Sequence, residues 1–384
     1  MRRLAFAAVT LFAALPAHAG VAPERLLRLD GSTIRVDEVD QFIAAQVKAA
    51  HVAGLAVAIL EHGEVAYLRT FGWRDIYHRL PLAPDTVMYG ASFSKAVFGA
   101  LVATLADEKV LDLDRPVIEL LGKPWSAVPR YDDLAYDPRA NLITSRMLMS
   151  HTSGLANLRQ LEGNRVRIHF EPGTQYAYSG EGINLMQLVV EAVTRRPVDE
   201  LINERFFGPL GMARTSMTWQ PALADNTAAG HDRRGRALEH VQRQKARAAG
   251  SMDTTITDFA SFLSAMMRGK LISATAKQLL LAPRVAIRFA QQFPTFAMNP
   301  TDANDKIGLS YGLGWGLLTK TPYGVGYFKE GHDDGWGHYA LAFDKPGIGV
   351  ILMSNSDNGE QVFRAILERV LHDDVTPWSW EGYP

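Results

Sequence analysis

The tetrapeptide Ser92-Phe93-Ser94-Lys95 places a hydroxyl and an amine three residues apart. Residues at that spacing share one face of a helix, so both groups would point the same way. A serine hydroxyl attacks poorly at neutral pH unless a base takes its proton, and a lysine whose charge is disfavoured by burial can do so. Ser92 and Lys95 are therefore candidates for nucleophilic acyl transfer. Ser-x-x-Lys alone is a weak pattern, since most such pairs merely lie at helix starts.

The surrounding residues predict that a helix begins at this serine. Tyr89-Gly90-Ala91 precedes it, and apolar residues then recur at helical spacing at Val97, Leu101 and Leu105. The first N–H groups of a helix lack partners and favour negative charge, which suits an acyl-transfer site. A buried helix with a serine cap is the alternative that these residues leave open.

Two later segments carry further polar groups. Tyr178-Ser179-Gly180 precedes an amphipathic stretch, and Lys329-Glu330-Gly331 lies between two β-like runs. With Ser-x-x-Lys, Tyr-Ser-x and Lys-x-Gly in this order, the chain resembles the class C β-lactamase family and its relatives, the serine D-alanyl-D-alanine carboxypeptidases and β-lactamase-fold esterases. The resemblance extends over nearly the whole chain after residue 19. Its supporting stretches are ITSRMLMSHTSGL at 143–155, FEPGTQYAYS at 170–179, PLGMARTSM at 209–217, AAGSMDTTITDFASFL at 248–263 and YGLGWGL at 311–317.

The resemblance implies a role for each motif residue and no metal or cofactor. Ser92 would be the acylated nucleophile, Lys95 and Tyr178 would together manage its proton, and Lys329 would hold positive charge near the tyrosine oxygen and the substrate. Because tyrosine ordinarily titrates near a pH of about 10, a phenolate base would need both lysines to stabilise it. The backbone N–H groups of Ser92 and His332 would form the oxyanion hole, and such donors are worth about 3 kcal/mol each.

The sequence departs from the β-lactamase pattern at two substrate-binding positions. Gly180 replaces the asparagine that holds the side-chain amide of the lactam, so a donor and an acceptor are lost. Glu330, before Gly331, replaces a threonine or serine that helps to bind the lactam carboxylate. Its charge should repel that carboxylate or neutralise Lys329. We therefore expect an esterase or peptidase-like acyl hydrolase; a β-lactamase, or a penicillin-binding-type protein that acylates with little turnover, is the alternative.

Other patterns allow different chemistry. Gly308-Leu309-Ser310-Tyr311-Gly312 is a literal G-x-S-x-G, but a nucleophile elbow needs a strand before it and a helix after it, and LGWGLL follows instead. Metal-ligand types occur at His332, Asp333, Asp334 and His338, where a polar turn is the favoured interpretation.

Three further side chains compete for chemical roles. His151 could act as a base, although the resembling family uses this loop without a catalytic histidine. Tyr176 would share the side of Tyr178 on an extended segment, where packing is the favoured role. Ser94 lies inside the first motif, and no direct role can be inferred for it.

The N-terminal residues predict a secretory signal peptide over residues 1–19. Arg2 and Arg3 precede the apolar run LAFAAVTLFAALP, and Ala17-His18-Ala19 is an A-x-A cleavage site. The run is too short to span a bilayer, so we expect a periplasmic or secreted protein without stable membrane insertion after cleavage. An uncleaved anchor is the alternative. The absence of cysteine is compatible with an oxidising compartment.

The charge of the chain limits the classes of partner and substrate to be expected. A formal net charge of −1 supplies no electrostatic reason to bind nucleic acid, so we expect a small ester, amide or cell-wall peptide substrate. The basic cluster over 233–247 fits a solvated loop, and a positive rim for anionic substrates is its alternative.

The positions of the predicted elements indicate the fold class. Helical spacing is found over 36–50 and 360–371, a hairpin is indicated over 54–72, and four strand-like runs follow residue 312. These features predict an α+β fold in which an antiparallel sheet is flanked by helices, with an inserted helical domain. The resemblance implies the same β-lactamase/penicillin-binding-protein-like fold. We expect a sheet domain from 20–100 and 250–384, a mainly helical domain from 101–249, and the site between them.

Overall fold

The computed structural model describes residues 23–383, so the predicted signal peptide lies outside the described residues. The strands are β1 (Arg25–Leu27), β2 (Thr33–Arg35), β3 (Gly54–Glu61), β4 (Glu64–Asp75), β5 (Leu80–Pro81), β6 (Met88–Tyr89), β7 (Gly230–His231), β8 (Ala237–Leu238), β9 (Asp253–Thr254), β10 (Leu309–Tyr311), β11 (Gly316–Leu318), β12 (Gly326–Asp333), β13 (Trp336–Phe343) and β14 (Ile348–Ser354). The α-helices are α1 (Val36–Ala49), α2 (Phe93–Asp107), α3 (Val117–Leu121), α4 (Ser145–Met149), α5 (Gly180–Thr194), α6 (Val198–Ile202), α7 (Ile256–Met267), α8 (Ala274–Leu280), α9 (Phe363–Ile366) and α10 (Trp378–Glu381).

Eight strands form the central sheet, in the order β10-β11-β12-β13-β14-β3-β4-β5. Every neighbouring pair is antiparallel. The predicted hairpin over 54–72 is confirmed by β3 and β4, which are joined at His62 and Gly63. The later strand-like runs contain β11 to β14, and β14 pairs directly with β3. The predicted α+β fold class, with its antiparallel sheet covered by helices, is confirmed.

Both faces of the sheet are covered, which explains why β3 is almost uniformly apolar. Side chains alternate between faces along a strand. Ala56 and Ala58 therefore join the core that contains α2 and α7, while Leu55 and Val57 join the opposite core with α1 and α9. A strand that is buried on both faces has apolar residues at consecutive positions, so its sequence shows no alternation of apolar and polar residues.

The two helices predicted at the chain ends are confirmed. α1 buries Val39, Ile43 and Val47 against the sheet. Near the C-terminus, a 3₁₀ turn (Gly359–Val362), α9 and a π-helical turn (Leu367–Leu371) form one continuous helical segment. The side chains that follow helical spacing in this segment are all buried: Phe363, Ile366, Leu367 and Leu371.

Residues 101–249 contain short helices separated by loops, together with the small β7–β8 hairpin. The longest helix that begins there, α5, starts after the cap residue Ser179, whose Oγ accepts a hydrogen bond from the Gly182 N–H at 2.8 Å. The remaining 3₁₀ and π turns are Trp125–Ala127, Asp132–Tyr136, Pro138–Leu142, Arg159–Glu162, Asn203–Phe207, Pro221–Asn226 and Ala303–Lys306. Over residues 23–383, no helix combines the length and apolar character required to cross a bilayer.

Candidate active site

Ser92 immediately precedes α2, and Lys95 lies on its first turn. Lys95 Nζ is 2.8 Å from Ser92 Oγ and also donates a hydrogen bond to the Ala249 carbonyl. Lys95 is buried, and burial, with a smaller contribution from the charge of Lys329, holds its pKa well below the ordinary lysine value. A neutral amine at this distance can accept the serine proton.

The turn before Ser92 is strained and held in place by hydrogen bonds. Ala91 has a φ of 45°, in the left-handed region that non-glycine residues rarely adopt. Such a conformation costs on the order of 1–3 kcal/mol and persists only where neighbouring contacts hold it. The Ser94 hydroxyl supplies those contacts: it donates to the Ala91 carbonyl at 2.7 Å and accepts from the N–H groups of Ser251 and Met252. Ser94 thus positions the turn.

The matched YGLGWGL stretch lies against the same helix. Gly314 has a φ of 83°, and a Cβ at this position would lie 2.5 Å from the Lys95 carbonyl oxygen. Only glycine therefore allows this segment to lie so close to the first turn of α2.

Tyr178 lies just before α5 and meets both lysines. Its hydroxyl accepts a hydrogen bond from Lys329 Nζ at 3.2 Å. The Nζ atoms of Lys95 and Lys329 are each 5.0 Å from the centre of its ring. The structure thus brings together all four side chains for which the sequence predicted a catalytic role, from α2, the segment before α5, and β12.

The surroundings of Tyr178 favour its protonated form. Burial raises its pKa well above the ordinary tyrosine value, and the negative charge of Glu330 raises it further, while a hydrogen bond with Ser92 acts in the opposite direction. The sequence-based idea of a phenolate stabilised by two lysines therefore fits this environment less well than a phenol that donates a proton. Lys95, with its lowered pKa, is the better base.

Lys329 and Glu330 form a buried ion pair although they are consecutive in β12. Lys329 Nζ and Glu330 Oε1 are 2.8 Å apart. β11 pairs with β12 only as far as Phe328, so the two side chains can meet around the strand edge beyond that point. Burial lowers the pKa of Lys329, and Glu330 opposes that shift, which favours the charged lysine. The sequence predicted that Glu330 would either repel a lactam carboxylate or neutralise Lys329. This direct contact supports the second effect.

A second acid lies behind this pair. Glu381 on α10 accepts a hydrogen bond from the Tyr339 hydroxyl at 3.0 Å. Burial and the negative charge of Glu330 raise the pKa of Glu381 well above the ordinary glutamate value. Gln292 also reaches this region, since its Nε2 donates to Glu330 Oε1 at 3.3 Å. Glu330, which contacts Lys329 directly, is therefore the carboxylate paired with this lysine, while the raised pKa of Glu381 favours its neutral form.

The predicted oxyanion hole combines Ser92 with His332. In the described part of the chain, the Ser92 N–H donates to no protein acceptor. A Cβ at Gly331 would lie 3.1 Å from the Gly90 carbonyl oxygen, so β12 passes close to the turn before Ser92. The His332 side chain points elsewhere: its Nδ1 lies 2.8 Å from Glu360, and this hydrogen bond raises the pKa of the imidazole. Only the backbone of His332 is thus available for an oxyanion, and the hole remains a prediction.

Gly180 is matched by an amide from another segment. Its N–H donates to Asn157 Oδ1 at 3.0 Å, and a Cβ at Gly180 would lie 2.7 Å from the Asn157 carbonyl oxygen. An asparagine at position 180 would therefore clash with the backbone of Asn157. The Asn157 side chain, two residues after the matched HTSGL stretch, is thus held beside Gly180 by this hydrogen bond.

The two other motifs of the sequence have structural explanations. Leu309, Ser310 and Tyr311 form β10, and Ser310 Oγ donates to the Val285 carbonyl at 2.7 Å, so no nucleophile elbow forms. His338 is buried, with Nε2 2.7 Å from the Tyr89 carbonyl oxygen, whereas His332 faces Glu360. Within residues 23–383, no group of three or more His, Cys, Asp or Glu side chains is arranged to hold a metal ion.

The side chains that competed for a base role are held in packing positions. His151 Nδ1 accepts a hydrogen bond from the Ser179 N–H at 3.1 Å, and its ring packs 4.4 Å from that of Tyr178. Burial keeps the pKa of His151 well below its ordinary value. The Tyr176 hydroxyl accepts from Gln292 Nε2 at 3.2 Å. His151 thus packs against Tyr178, and Tyr176 packs against His151.

One residue of the basic cluster reaches the site margin. The Arg243 guanidinium lies 3.4 Å from the centre of the Tyr89 ring, and Nη2 is 3.9 Å from Asp333 Oδ2. Arg236 forms an ion pair with Asp232 at 2.6 Å. These contacts engage two of the cluster's cations, Arg236 and Arg243.

Residues 39–373 match the Beta-lactamase family, so the chain belongs to this family of serine hydrolases. The fold is similar to that of a penicillin-binding protein homologue from Pyrococcus abyssi, with a TM-score of 0.71, 20% identity and coverage of 90% of this chain and 79% of that chain. It is also similar to the D-alanine carboxypeptidase AmpC from Burkholderia cenocepacia, with a TM-score of 0.68, 18% identity and coverage of 87% and 98%.

Two curated relatives share parts of the sequence. Protein flp of Staphylococcus aureus is 24% identical over 214 residues, which are 52% of this chain and 41% of that protein. D-aminopeptidase of Brucella anthropi is 29% identical over 178 residues, 45% of this chain and 34% of that protein. The match thus spans under half the length of each of these two curated relatives.

Sequence reasoning missed several residues that shape the site. Asn157 could have been found from its place beside the matched HTSGL stretch. Gln292 and Glu381 carry no local signal, since they reach Glu330 and Lys329 only through the tertiary fold.

Proposed function

We propose that the chain is a serine acyl hydrolase that acts on ester or amide bonds through an acyl-enzyme at Ser92, as an esterase or a peptidase-like enzyme. The observation that carries this proposal is the 2.8 Å distance between Lys95 Nζ and Ser92 Oγ, at a lysine whose pKa is lowered by burial. The activities named for the Burkholderia carboxypeptidase and the Brucella D-aminopeptidase support an acyl-transfer reaction.

Acylation follows from the arrangement of the four side chains. Ser92 Oγ attacks the acyl carbon, and its proton passes to neutral Lys95 Nζ. The resulting oxyanion accepts hydrogen bonds from the Ser92 and His332 N–H groups. As the bond to the leaving group breaks, Tyr178 donates its phenolic proton to the departing oxygen or nitrogen. The proton on Lys95 then restores the phenol, and charged Lys329 limits the negative charge on the tyrosine oxygen.

Deacylation uses Lys95 and Ser92 again. Water attacks the acyl-enzyme carbon and gives up a proton to neutral Lys95, which returns it to Ser92 Oγ as the acyl bond breaks. The product is a free acid, so each turnover consumes one water and regenerates Ser92.

Two contacts favour an ester or peptide over a β-lactam substrate. The charge of Lys329 is already balanced by Glu330 at 2.8 Å, so it attracts a lactam carboxylate weakly. Gly180 carries no side chain for a lactam amide, and the neighbouring Asn157 carbonyl excludes one. A β-lactamase, or a penicillin-binding-type protein that acylates with little turnover, is the alternative. The predicted signal peptide makes a periplasmic or secreted location part of the proposal.

The proposal is tested by measuring turnover of a short-chain p-nitrophenyl ester and of a chromogenic cephalosporin side by side, with the mature protein and its Ser92→Ala variant. We expect ester turnover that the variant lacks and slow cephalosporin turnover. Full ester turnover in the variant would exclude Ser92 as the nucleophile. Labelling of the wild type by a covalent serine-hydrolase probe without turnover would instead indicate a stalled binder, and fast cephalosporin turnover would indicate a β-lactamase.

A further inference from the structure

A cavity of about 360 Å³ lies between two loops beside the candidate site. One wall is formed by residues 156–162 and the other by residues 294–297. Its apolar lining consists of Ala156, Leu158, Leu161, Pro294, Phe296 and Ala297. A concave surface with this lining suits an apolar group of a small molecule.

The walls expose large apolar side chains that a core would bury. Leu158 is 49% exposed and Leu161 is 79% exposed, and both belong to the same loop. Single exposed leucines are common, but a group of them around a concavity indicates a binding surface. Leu142, which is 52% exposed and does not line the cavity, provides a matched control.

The loops that form the two walls each contact the Tyr178-Ser179-Gly180 segment. Phe293, directly before Pro294, packs edge-on against Tyr178 with 5.5 Å between ring centres. On the other wall, Asn157 Oδ1 accepts a hydrogen bond from the Gly180 N–H. The cavity therefore lies next to the segment whose tyrosine is expected to protonate the leaving group.

Two further contacts hold the walls in position. The Phe296 ring stacks on His169 with 3.9 Å between ring centres. His169 Nε2 lies 3.5 Å from the carboxylate of Glu162, an acidic residue of the cavity lining. The apolar side chains thus remain as the surface that a substrate meets.

We infer that this cavity binds the apolar part of the leaving group, meaning the alkyl or aryl portion of the alcohol or amine released when Ser92 is acylated. This inference rests on the proposed function. Because Tyr178 donates its proton to the departing atom, the departing group lies on the Tyr178 side of the acyl carbon. Phe293 packs against Tyr178 on that side, and Pro294, the next residue, lines the cavity.

The test compares two series of esters: one is lengthened in the alcohol and the other in the acyl group. Acetates of linear alcohols from methanol to octanol lengthen the leaving group, and p-nitrophenyl esters from acetate to octanoate lengthen the acyl group. We expect kcat/KM to rise about two- to fourfold per methylene in the alcohol series until the cavity is filled, as burial of methylenes predicts. Leu158→Ser combined with Leu161→Ser should flatten that rise, while Leu142→Ser should leave it intact.

A second measurement separates this inference from the proposed function. Calorimetric titration of 1-octanol into the Ser92→Ala variant reads binding without turnover, and the Leu158→Ser/Leu161→Ser changes should weaken that binding at least tenfold. Equal binding with and without these changes would overturn the inference, as would a chain-length gain confined to the acyl series. Absence of Ser92-dependent ester hydrolysis alongside intact octanol binding would count against the proposed function alone.

Discussion

Lys329 and Glu330 are neighbours in β12, yet their side chains meet as a buried ion pair 2.8 Å long. The open edge of β12 beyond Phe328 allows this contact, because no β11 residue pairs there. The carboxylate opposes the lowering of the Lys329 pKa by burial and so favours the charged lysine next to Tyr178. At the same time it reduces the attraction of this lysine for an anionic substrate. One substitution in a short motif thus changes the expected substrate without removing any acylation residue.

Replacing Glu330 should shift the enzyme towards β-lactams. In Glu330→Thr, Lys329 loses its partner and becomes available to a substrate carboxylate. We expect the ratio of kcat/KM for a cephalosporin to that for p-nitrophenyl acetate to rise about tenfold, the effect of about 1.4 kcal/mol of recovered attraction. Glu330→Gln, which removes the charge and keeps the shape, should raise the ratio similarly. An unchanged ratio in both variants would refute the role of this carboxylate.

The pH dependence of acylation should follow Lys95. Its pKa is lowered in the folded protein, so the amine is neutral above that pKa and becomes protonated, and unable to accept a proton, as the pH falls through it. We expect kcat/KM to fall with decreasing pH, and Lys95→Arg to lose about 10²–10⁴-fold because a guanidinium stays protonated. Lys277→Arg, a change at another lysine of low exposure, serves as the control. An acid limb that persists unchanged in Lys95→Arg would exclude Lys95 as the base.

Removing the hydroxyl of Tyr178 should affect poor leaving groups most. An alkoxide needs a proton in order to leave, whereas p-nitrophenolate leaves without one. Tyr178→Phe should therefore lower kcat by about 10²-fold or more for an alkyl acetate and by much less for p-nitrophenyl acetate. Tyr176→Phe removes a hydroxyl that contacts Gln292 instead and should change neither rate appreciably. Equal losses on both esters in Tyr178→Phe would show that Tyr178 is not the leaving-group donor.

Adding a side chain at Gly180 should destabilise the protein. Gly180 is the first residue of α5, and at an exposed helical position Gly→Ala usually stabilises by about 1 kcal/mol. Here the new Cβ would lie 2.7 Å from the Asn157 carbonyl oxygen, so the loop must move. We expect Gly180→Ala to lower the free energy of unfolding in urea by about 1–3 kcal/mol. A variant at least as stable as the wild type would show that the loop carrying Asn157 can move without a cost in stability.

Much of the fold could be predicted from local patterns. Helical spacing located α1 and the C-terminal helical segment, and two apolar runs around His62-Gly63 located the β3–β4 hairpin. These patterns work because one face of each element must be buried. Local patterns did not show that Asn157 stands beside Gly180, because that contact depends on the path of a loop.

The sequence by itself determined which chemical groups the protein carries and their order: a serine and a lysine one helical turn apart, then a tyrosine, then a second lysine. A spacing of three residues on a helix already brings Ser92 and Lys95 together, so that pair needs no tertiary information. Only the tertiary structure decided the directions of the pKa shifts, since burial lowers the pKa of Lys95 and raises that of Tyr178. It also decided the contact of Glu330 with Lys329 and the apolar cavity beside Phe293, because both depend on which segments exclude water from each other.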